Sequence, residues 1–378
     1  MIVAGIYLHV PFCRRKCFYC DFVSYPYREE AALEYLTGLK REILFWREVY
    51  GSRLKVPTLY LGGGTPTCLP LKLLEEIFSI IYQSFSFLSR AEVTVEANPE
   101  TLTPELVELL VAWGVNRLSI GMQALRPEHL KLLGRGHTFA EVVESVKICR
   151  RAGLENINLD LIYGLPGQTL ADWRETLRAA VALEPTHLSA YALELEEHTL
   201  LGKRVAKGEL SPCEEETVRE MYLEAIDFLE GRGYRHYEIS NFALPGKECR
   251  HNLGYWRLSP YLGLGPAAHS FLEGKRWANA ADLATYLRLL EEGKRPVVEV
   301  VEVGRKEAMA EAMFLGLRLR QGVHRLWFAA RFGSTLEEAY GPVLERLVKQ
   351  GLLEYDGGWV RLTPMALPVA NQVFMAFV

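Results

Sequence analysis

The sequence of 378 residues contains no apolar run approaching the roughly 20 residues that a membrane-spanning helix needs. Its first residues also lack a basic segment followed by an apolar core, so no secretory signal is predicted. The formal net charge is −4, which gives no sign of the basic surface typical of nucleic-acid binding. These absences predict a cytoplasmic protein that neither spans a membrane nor binds nucleic acid.

Cysteine is scarce and unevenly placed along the chain. There are seven cysteines, an odd number that argues against a disulfide framework in a protein without a secretory signal. Three of them, Cys13, Cys17 and Cys20, form a C-x3-C-x2-C motif directly after a short apolar segment. The other four are dispersed and are predicted to be ordinary thiols; they are Cys68, Cys149, Cys213 and Cys249.

A second C-x2-C pair is also missing, and this absence bears on what the motif binds. Structural zinc takes four protein ligands, so three cysteines would need a further donor such as His9. A [4Fe–4S] cluster held by three thiolates keeps one iron open to an outside molecule. An open iron lets a cluster bind and reduce S-adenosylmethionine. A three-cysteine [4Fe–4S] cluster is therefore favoured, with zinc and uncoordinated core thiols as alternatives.

Apolar, β-rich segments alternate with amphipathic helical patterns up to about residue 195. Six strands are predicted, at residues 6–10, 58–62, 92–97, 117–123, 156–163 and 187–193. Five helices are predicted between them, at residues 31–50, 71–84, 104–113, 140–152 and 170–183. Such alternation implies parallel strands joined by right-handed crossovers. The predicted fold class is α/β, with a partial (β/α)6 TIM-like barrel, open on one side, over residues 1–195.

The alternation stops after residue 195. Residues 196–300 form a predicted linking region rich in aromatic residues, and residues 301–378 form a mostly helical, winged-helix-like domain. Helices are predicted there at residues 307–320, 326–332 and 342–349, followed by a two-stranded wing at residues 352–355 and 359–362. A winged helix often contacts DNA, but this one lacks a basic stripe. Docking or covering of a substrate is the favoured interpretation.

Polar residues and glycines stand at the C-terminal ends of the predicted strands, where the binding sites of barrels lie. A glycine run, Gly62-Gly63-Gly64, follows the second strand and lets the backbone approach a ligand closely. Glu96, Gln123 and Asp160 supply hydrogen-bond acceptors, and Arg135 supplies a cation for a carboxylate. Local salt bridges and helix caps are the alternative interpretation of each residue taken singly.

Several strings of the sequence together resemble the oxygen-independent coproporphyrinogen III oxidase-like family of the radical S-adenosylmethionine superfamily. The strings are Tyr7-x-His-x-Pro-Phe-Cys, Gly-Gly-Gly-Thr-Pro, Ser119-Ile-Gly-Met-Gln and Asp160-Leu-Ile-Tyr-Gly-Leu-Pro. The resemblance implies a radical barrel in which the three cysteines hold the [4Fe–4S] cluster. It also implies a set of S-adenosylmethionine contacts, namely Tyr7, Tyr19, Gly63, Gly64, Thr65, Glu96, Gln123, Arg135 and Asp160.

Two departures separate the chain from the true oxidases of that family. The true oxidases have a C-x3-C-x2-C-x-C motif with a fourth cysteine two positions after the third. In this sequence that position is Phe22. Those oxidases also carry an extension before the first strand, whereas the first predicted strand of this sequence begins at residue 6. In both features the sequence resembles the heme chaperone branch of the family. So does the string Cys249-Arg-His251-Asn-Leu-Gly-Tyr255-Trp256, which matches an H-N-x-x-Y-W motif of that branch.

The H-N-x-x-Y-W string has the chemistry of a heme site. An imidazole can bind heme iron, and Tyr255 and Trp256 can pack on a porphyrin face. His251 is the expected iron ligand, with Cys249 and His269 as alternatives. A purely structural histidine, hydrogen-bonded in the barrel, is the other interpretation.

The resemblance implies a protein that binds heme and delivers it to an acceptor, for which a membrane-associated respiratory heme protein is expected. The expected cofactors are a [4Fe–4S] cluster, S-adenosylmethionine and heme. An alternative is oxidative decarboxylation of coproporphyrinogen III through a 5′-deoxyadenosyl radical, against which Phe22 counts. A radical enzyme acting on another substrate is a third hypothesis, and a homodimer is left open.

Overall fold

A computed structural model describes residues 1–378 as an α/β fold. Nine strands lie in its first half: β1 (Ile2–Val3), β2 (Gly5–Val10), β3 (Phe12–Cys13), β4 (Tyr25–Pro26), β5 (Leu54–Gly63), β6 (Ser86–Ala97), β7 (Arg117–Gln123), β8 (Ile157–Tyr163) and β9 (His187–Ala192). The helices there are α1 (Glu29–Val49), α2 (Leu71–Ser84), α3 (Pro104–Ala112), α4 (Pro127–Leu133), α5 (Phe139–Arg151) and α6 (Leu170–Val181). The six predicted long strands and five predicted helices are therefore present.

The middle of the chain extends the same sheet. Its elements are α7 (Leu200–Ala206), α8 (Glu215–Glu230), β10 (Arg235–Glu238), β11 (Asn241–Ala243), α9 (Arg250–Trp256), β12 (Tyr261–Leu264), β13 (His269–Leu272), β14 (Lys275–Asn279), α10 (Leu283–Glu291) and β15 (Val297–Glu302). The strand order is β10-β11-β9-β8-β7-β6-β5-β2-β12-β13-β14-β15, with β1 beside β5. Strands β2, β5 to β9 and β12 run parallel, which confirms the predicted parallel barrel sheet. The division of the chain at residues 195 and 300 stays a prediction.

The C-terminal elements form a winged helix with a larger sheet than predicted. They are α11 (Arg305–Gly316), β16 (Val323–His324), α12 (Arg325–Phe332), α13 (Leu336–Lys349), β17 (Leu353–Asp356), β18 (Trp359–Leu362) and α14 (Ala370–Phe374). The sheet has three strands in the order β16-β18-β17, not two. The additional strand, β16, has two residues and is too short to show a periodic pattern.

Side chains on the barrel strands alternate between an apolar outer face and a polar inner face, as pleating requires. In β7, Leu118 and Ile120 belong to the large hydrophobic core, whereas Arg117 and Ser119, which alternate with them, lie on the opposite face. The outer face packs on helices whose starts are well defined. Thr138 forms the predicted capping box with Glu141 at the start of α5. No helix in the structure is both long and apolar enough to cross a bilayer.

Candidate functional site

The loop that carries the three cysteines begins at the C-terminal end of β2. A short pairing of β3 with β4 ties the two ends of this loop together. Cys13 is buried in β3, and Thr65 Oγ1 lies 3.5 Å from its Sγ atom as a donor. Arg135 Nη1 donates to Cys17 Sγ at 3.3 Å. Cys17 and Cys20 border a cavity of about 630 Å³, and Cys13 lies outside its lining.

The three thiols lie close enough to influence one another. Burial raises the pKa of Cys13 and of Cys20, and the negative charge of the Cys17 thiolate raises both further. Lys16 opposes this by lowering both pKa values. No three His, Cys, Asp or Glu side chains converge on a position for a single metal ion. Grouped thiolates beside a cavity are the donor set that an iron–sulfur cluster requires, and the three cysteines fit it.

The glycine run packs so closely against its neighbours that no side chain would fit there. A Cβ atom at Gly62 would lie 2.9 Å from the Glu96 carboxylate, and one at Gly64 would lie 2.5 Å from Phe12 O. Gly63 has φ +100°, and a Cβ atom there would overlap His9 Nδ1. The backbone therefore lies flush against its neighbours at the mouth of the barrel.

His9 orients the first of the predicted S-adenosylmethionine contacts. Its Nε2 donates to Val23 O at 2.7 Å, which leaves Nδ1 as an acceptor for the Tyr7 hydroxyl at 3.1 Å. Burial lowers the pKa of His9, so the ring is neutral. The position of His9 between Gly63 and Tyr7 was not predicted, although His9 was considered as a zinc donor.

Glu96 is bound by two donors inside the barrel. Tyr60 Oη donates to Glu96 Oε1 at 2.8 Å, and Gly63 N donates to Glu96 Oε2 at 3.2 Å. Burial raises the pKa of Glu96 to about 7, and the nearby Asp160 charge adds to the shift, while these two donors lower it. A carboxyl group with this pKa accepts hydrogen bonds from a cationic or hydroxyl-bearing ligand near neutral pH.

Arg135 connects the cysteine loop to the strand ends. Its Nη2 donates to Asn98 Oδ1 at 2.7 Å and to Gly121 O at 2.8 Å, while its Nε is buried without a partner. Its charge lowers the pKa of Tyr19, although burial raises that pKa overall. Gln123 at the end of β7 has φ +62°, a left-handed conformation that turns the chain at the barrel mouth. The buried Nε atom and the glycine run fit a ligand at this position.

Asp160 begins a chain of direct hydrogen bonds through the barrel. It accepts from Ser119 Oγ at 2.9 Å and from Asn158 Nδ2 at 2.8 Å. Asn158 Oδ1 accepts from His187 Nδ1 at 2.6 Å, so His187 Nε2 is the acceptor for the Tyr237 hydroxyl at 2.8 Å. Burial raises the pKa of Asp160 and lowers that of His187 well below its usual value.

The H-N-x-x-Y-W string forms α9, and His251 points from it into the barrel. The Thr58 hydroxyl lies 2.8 Å from His251 Nδ1, and the Tyr255 hydroxyl lies 2.8 Å from Nε2. The ring lies 5.2 Å from the Tyr60 ring, and burial lowers the pKa of His251 to about 3. Both ring nitrogens are therefore engaged within the protein. That His251 binds iron stays a prediction, and binding would require one of these contacts to be released.

The two alternative iron ligands differ in accessibility. Cys249 is fully buried, and its thiol lies 3.7 Å from Glu92 Oε1. His269 is exposed in β13. A cavity of about 400 Å³ adjoins α9 and is lined by His251 and Tyr255 together with the cations Arg250 and Arg257.

The polar inner face of the barrel was missed by sequence reasoning. Its members are Thr58, Tyr60, Glu92, Thr94, Arg117, Ser119, Asn158, His187 and Ser189. The signal that could have revealed them is the strict alternation of polar and apolar residues within each parallel strand. Strands covered by helices on both faces read as continuous apolar runs, so this alternation indicates a polar cavity on one face.

Two family models match separate parts of the chain. The radical SAM superfamily matches residues 7–180, and the HemN C-terminal domain matches residues 303–369. The heme chaperone HemW of Bacillus subtilis is 38 % identical over 374 residues, which cover 98 % of this chain and 98 % of that relative. The chain belongs to the HemW heme chaperone family. The HemW of Lactococcus lactis is 37 % identical, over 98 % of this chain and 96 % of that relative.

Two further comparisons are an animal protein and a solved oxidase structure. A bovine protein named radical S-adenosyl methionine domain-containing protein 1, mitochondrial, is 31 % identical over 99 % of this chain and 87 % of its own length. The coproporphyrinogen III oxidase HemN of Escherichia coli shares the fold. Its TM-score is 0.88 at 23 % identity, covering 100 % of this chain and 90 % of that chain. At this identity the likeness of this chain to HemN describes the fold alone.

Proposed function

We propose that this protein binds heme and transfers it to an acceptor protein. The observation that supports the proposal most strongly is the full-length likeness to proteins named heme chaperones, at 36–38 % identity over 98 % of the chain. The acceptor we propose is a membrane-associated respiratory heme protein, and the site of action is the cytoplasm.

The residues at the barrel mouth would hold the cluster and S-adenosylmethionine. Cys13, Cys17 and Cys20 would bind three irons, and the fourth iron would remain open to S-adenosylmethionine. The glycine run would lie along the ligand backbone. Glu96 and Asp160 would accept its hydrogen bonds, and Arg135 would neutralise a carboxylate. When bound, such a cluster supplies an electron to S-adenosylmethionine.

The heme would lie at α9, against the cavity bordered by His251 and Tyr255. Thr58 and Tyr60 hold the His251 ring in place, and Tyr255 contacts His251, so little side-chain freedom is lost on binding. Arg250 and Arg257 line the same cavity, and as exposed charges they would speed the encounter with an anionic tetrapyrrole rather than add to its final affinity. Gly63 N and Glu96, which belong to the mouth of the barrel, lie beside Tyr60 and so connect the two regions.

Transfer distinguishes a chaperone from a protein that only stores heme. Heme-loaded protein is mixed with membrane vesicles that contain heme-depleted respiratory proteins, and the heme absorbance of the reisolated vesicles is followed. We expect heme to appear in the acceptor faster than from the same amount of heme bound to serum albumin. Transfer no faster than from albumin would refute a chaperone function.

A further inference from the structure

Arg117 is a buried cation with no partner of its own in the protein. It is the first residue of β7, and its exposed fraction is 2 %. Its Nε atom has no hydrogen-bond partner, and the guanidinium takes part in no ion pair. Nearby carboxylates act on it only through their charge and without direct contact; they are Glu92, Glu96 and Asp160.

Strand register places a second unsatisfied group next to it. Thr94 in β6 pairs directly with Arg117, and both side chains lie on the inner face of the barrel. The Thr94 hydroxyl is buried and has no hydrogen-bond partner. A guanidinium and a hydroxyl on adjacent strands thus present donors to the same interior space.

Glu92, the acid whose charge acts most strongly on Arg117, is committed elsewhere. The Glu92 oxygens accept from the backbone N–H groups of Arg250 and His251, both at 3.0 Å, and from the thiol of Cys249. Glu92 therefore fixes the start of α9 and does not pair with the guanidinium. The neutral His187 and Tyr237 are satisfied by each other and by Asn158.

A buried charge whose donors lack hydrogen-bond partners is unfavourable even when acids lie nearby, whereas a buried charge paired through hydrogen bonds is tolerated. We propose that Arg117 and Thr94 bind a carboxylate of the transported tetrapyrrole, which in heme is a propionate. The proposal rests on the heme-binding function proposed above. A guanidinium can bind a carboxylate through two parallel hydrogen bonds, and the Thr94 hydroxyl can donate a third.

Arg117 is placed correctly for a heme held at α9. Glu92, the acid whose charge acts most strongly on Arg117, caps the start of α9. The charge of Arg117 also reaches His251. A propionate at Arg117 would thus belong to the same ligand that contacts His251 and Tyr255. The rival receptors are Arg250 and Arg257, which are exposed and line the adjoining cavity.

The test compares heme with heme dimethyl ester, in which both propionates are esterified and neutral. Dissociation constants are measured for both ligands with the wild-type protein, Arg117→Gln, and the double variant Arg250→Gln/Arg257→Gln. We expect the wild type to bind heme roughly tenfold or more tightly than the ester. The preference should vanish in Arg117→Gln and persist in the double variant. Arg151→Gln, a change at an exposed arginine of α5, is the matched control.

Failure of the inference and failure of the proposed function give different results. If no form of the protein binds heme, the heme function itself is wrong. If the wild type binds both ligands equally, or if Arg117→Gln keeps the preference, the propionate site is wrong while heme binding stands. Should Arg117→Gln not fold, Arg117→Lys and the double variant decide. Loss of the preference for heme over its ester in the double variant then overturns the proposal. A preference that the double variant keeps but Arg117→Lys reduces supports it.

Discussion

Gly63 is the residue of the barrel mouth that is least able to accept a side chain. Its φ of +100° and the overlap of any Cβ atom with His9 predict that Gly63→Ala will disturb the mouth directly. We expect S-adenosylmethionine binding to weaken by about tenfold or more, as measured by anaerobic calorimetry of the reconstituted protein. Gly246→Ala is the control, because Gly246 also has a positive φ, +78°, but has open space around it. Equal losses in the two variants would show that the contact with His9 is unimportant.

Glu42 is a fully buried acid on α1 that three donors hold in place. Gly265 N donates to it at 2.8 Å, Tyr286 Oη at 2.6 Å and Asn279 Nδ2 at 2.7 Å. Burial raises the pKa of Glu42 to about 7, although these donors lower it. Because the folded pKa lies above the unfolded value of 4.5, the unfolded chain loses this proton first as pH rises. The stability supplied by the protonated group is complete below pH ~4.5 and declines up to pH ~7.

This linkage predicts a loss of up to about 3 kcal/mol in unfolding free energy for the wild type between pH 4.5 and pH 7.5. Glu42→Gln cannot titrate, so its stability should fall less over the same range in urea denaturation of the metal-free protein. Glu48→Gln, at an exposed position of the same helix, should behave like the wild type. Parallel stability curves for the wild type and Glu42→Gln would contradict the assignment.

At the scale of single elements, α9 depends on one carboxylate from β6. Glu92 accepts from Arg250 N and His251 N, the first two N–H groups of α9. We expect Glu92→Gln to lower the unfolding free energy by about 1–3 kcal/mol and to weaken heme binding measurably, because α9 carries His251 and Tyr255.

Thr138→Ala provides the matched control for this prediction. It removes the cap of α5, a helix that carries no predicted site residue, and should cost a similar ~0.5–2 kcal/mol. Heme affinity should remain unchanged in Thr138→Ala at temperatures where both variants are folded. Equal heme affinity in Glu92→Gln and Thr138→Ala would show that the position of α9 does not control heme binding.

Elements with strong local signals were predicted well, and those that depend on distant partners were not. The bounds of β7 and α2 match the predicted residues, since one has a long strand pattern and the other a clear amphipathic pattern. Strand β6 begins at Ser86, six residues before its predicted start, because its first residues pair with β5 ahead of a register shift near Pro57. The inner residues Arg117 and Thr94 were missed, since the register of β6 against β7, which the sequence does not show, brings them together.

At the scale of the whole molecule, the parallel barrel relies on the middle of the chain at both edges. Strand β12 pairs with β2 at one edge, and β11 pairs with β9 at the other. A fragment of residues 1–195 would expose both edges and should aggregate, whereas residues 1–302 should remain soluble. Size-exclusion chromatography with circular dichroism tests this expectation. A monomeric, folded fragment of residues 1–195 would show that the barrel is independent of residues 196–300.

The most direct measurement of the central claim uses anaerobically reconstituted protein in two parallel tubes. One tube receives heme, and the other receives coproporphyrinogen III with S-adenosylmethionine and a reductant. The heme chaperone account predicts a Soret band that saturates near one heme per chain in the first tube and no protoporphyrinogen in the second. Turnover of coproporphyrinogen to protoporphyrinogen without saturable heme binding would contradict it.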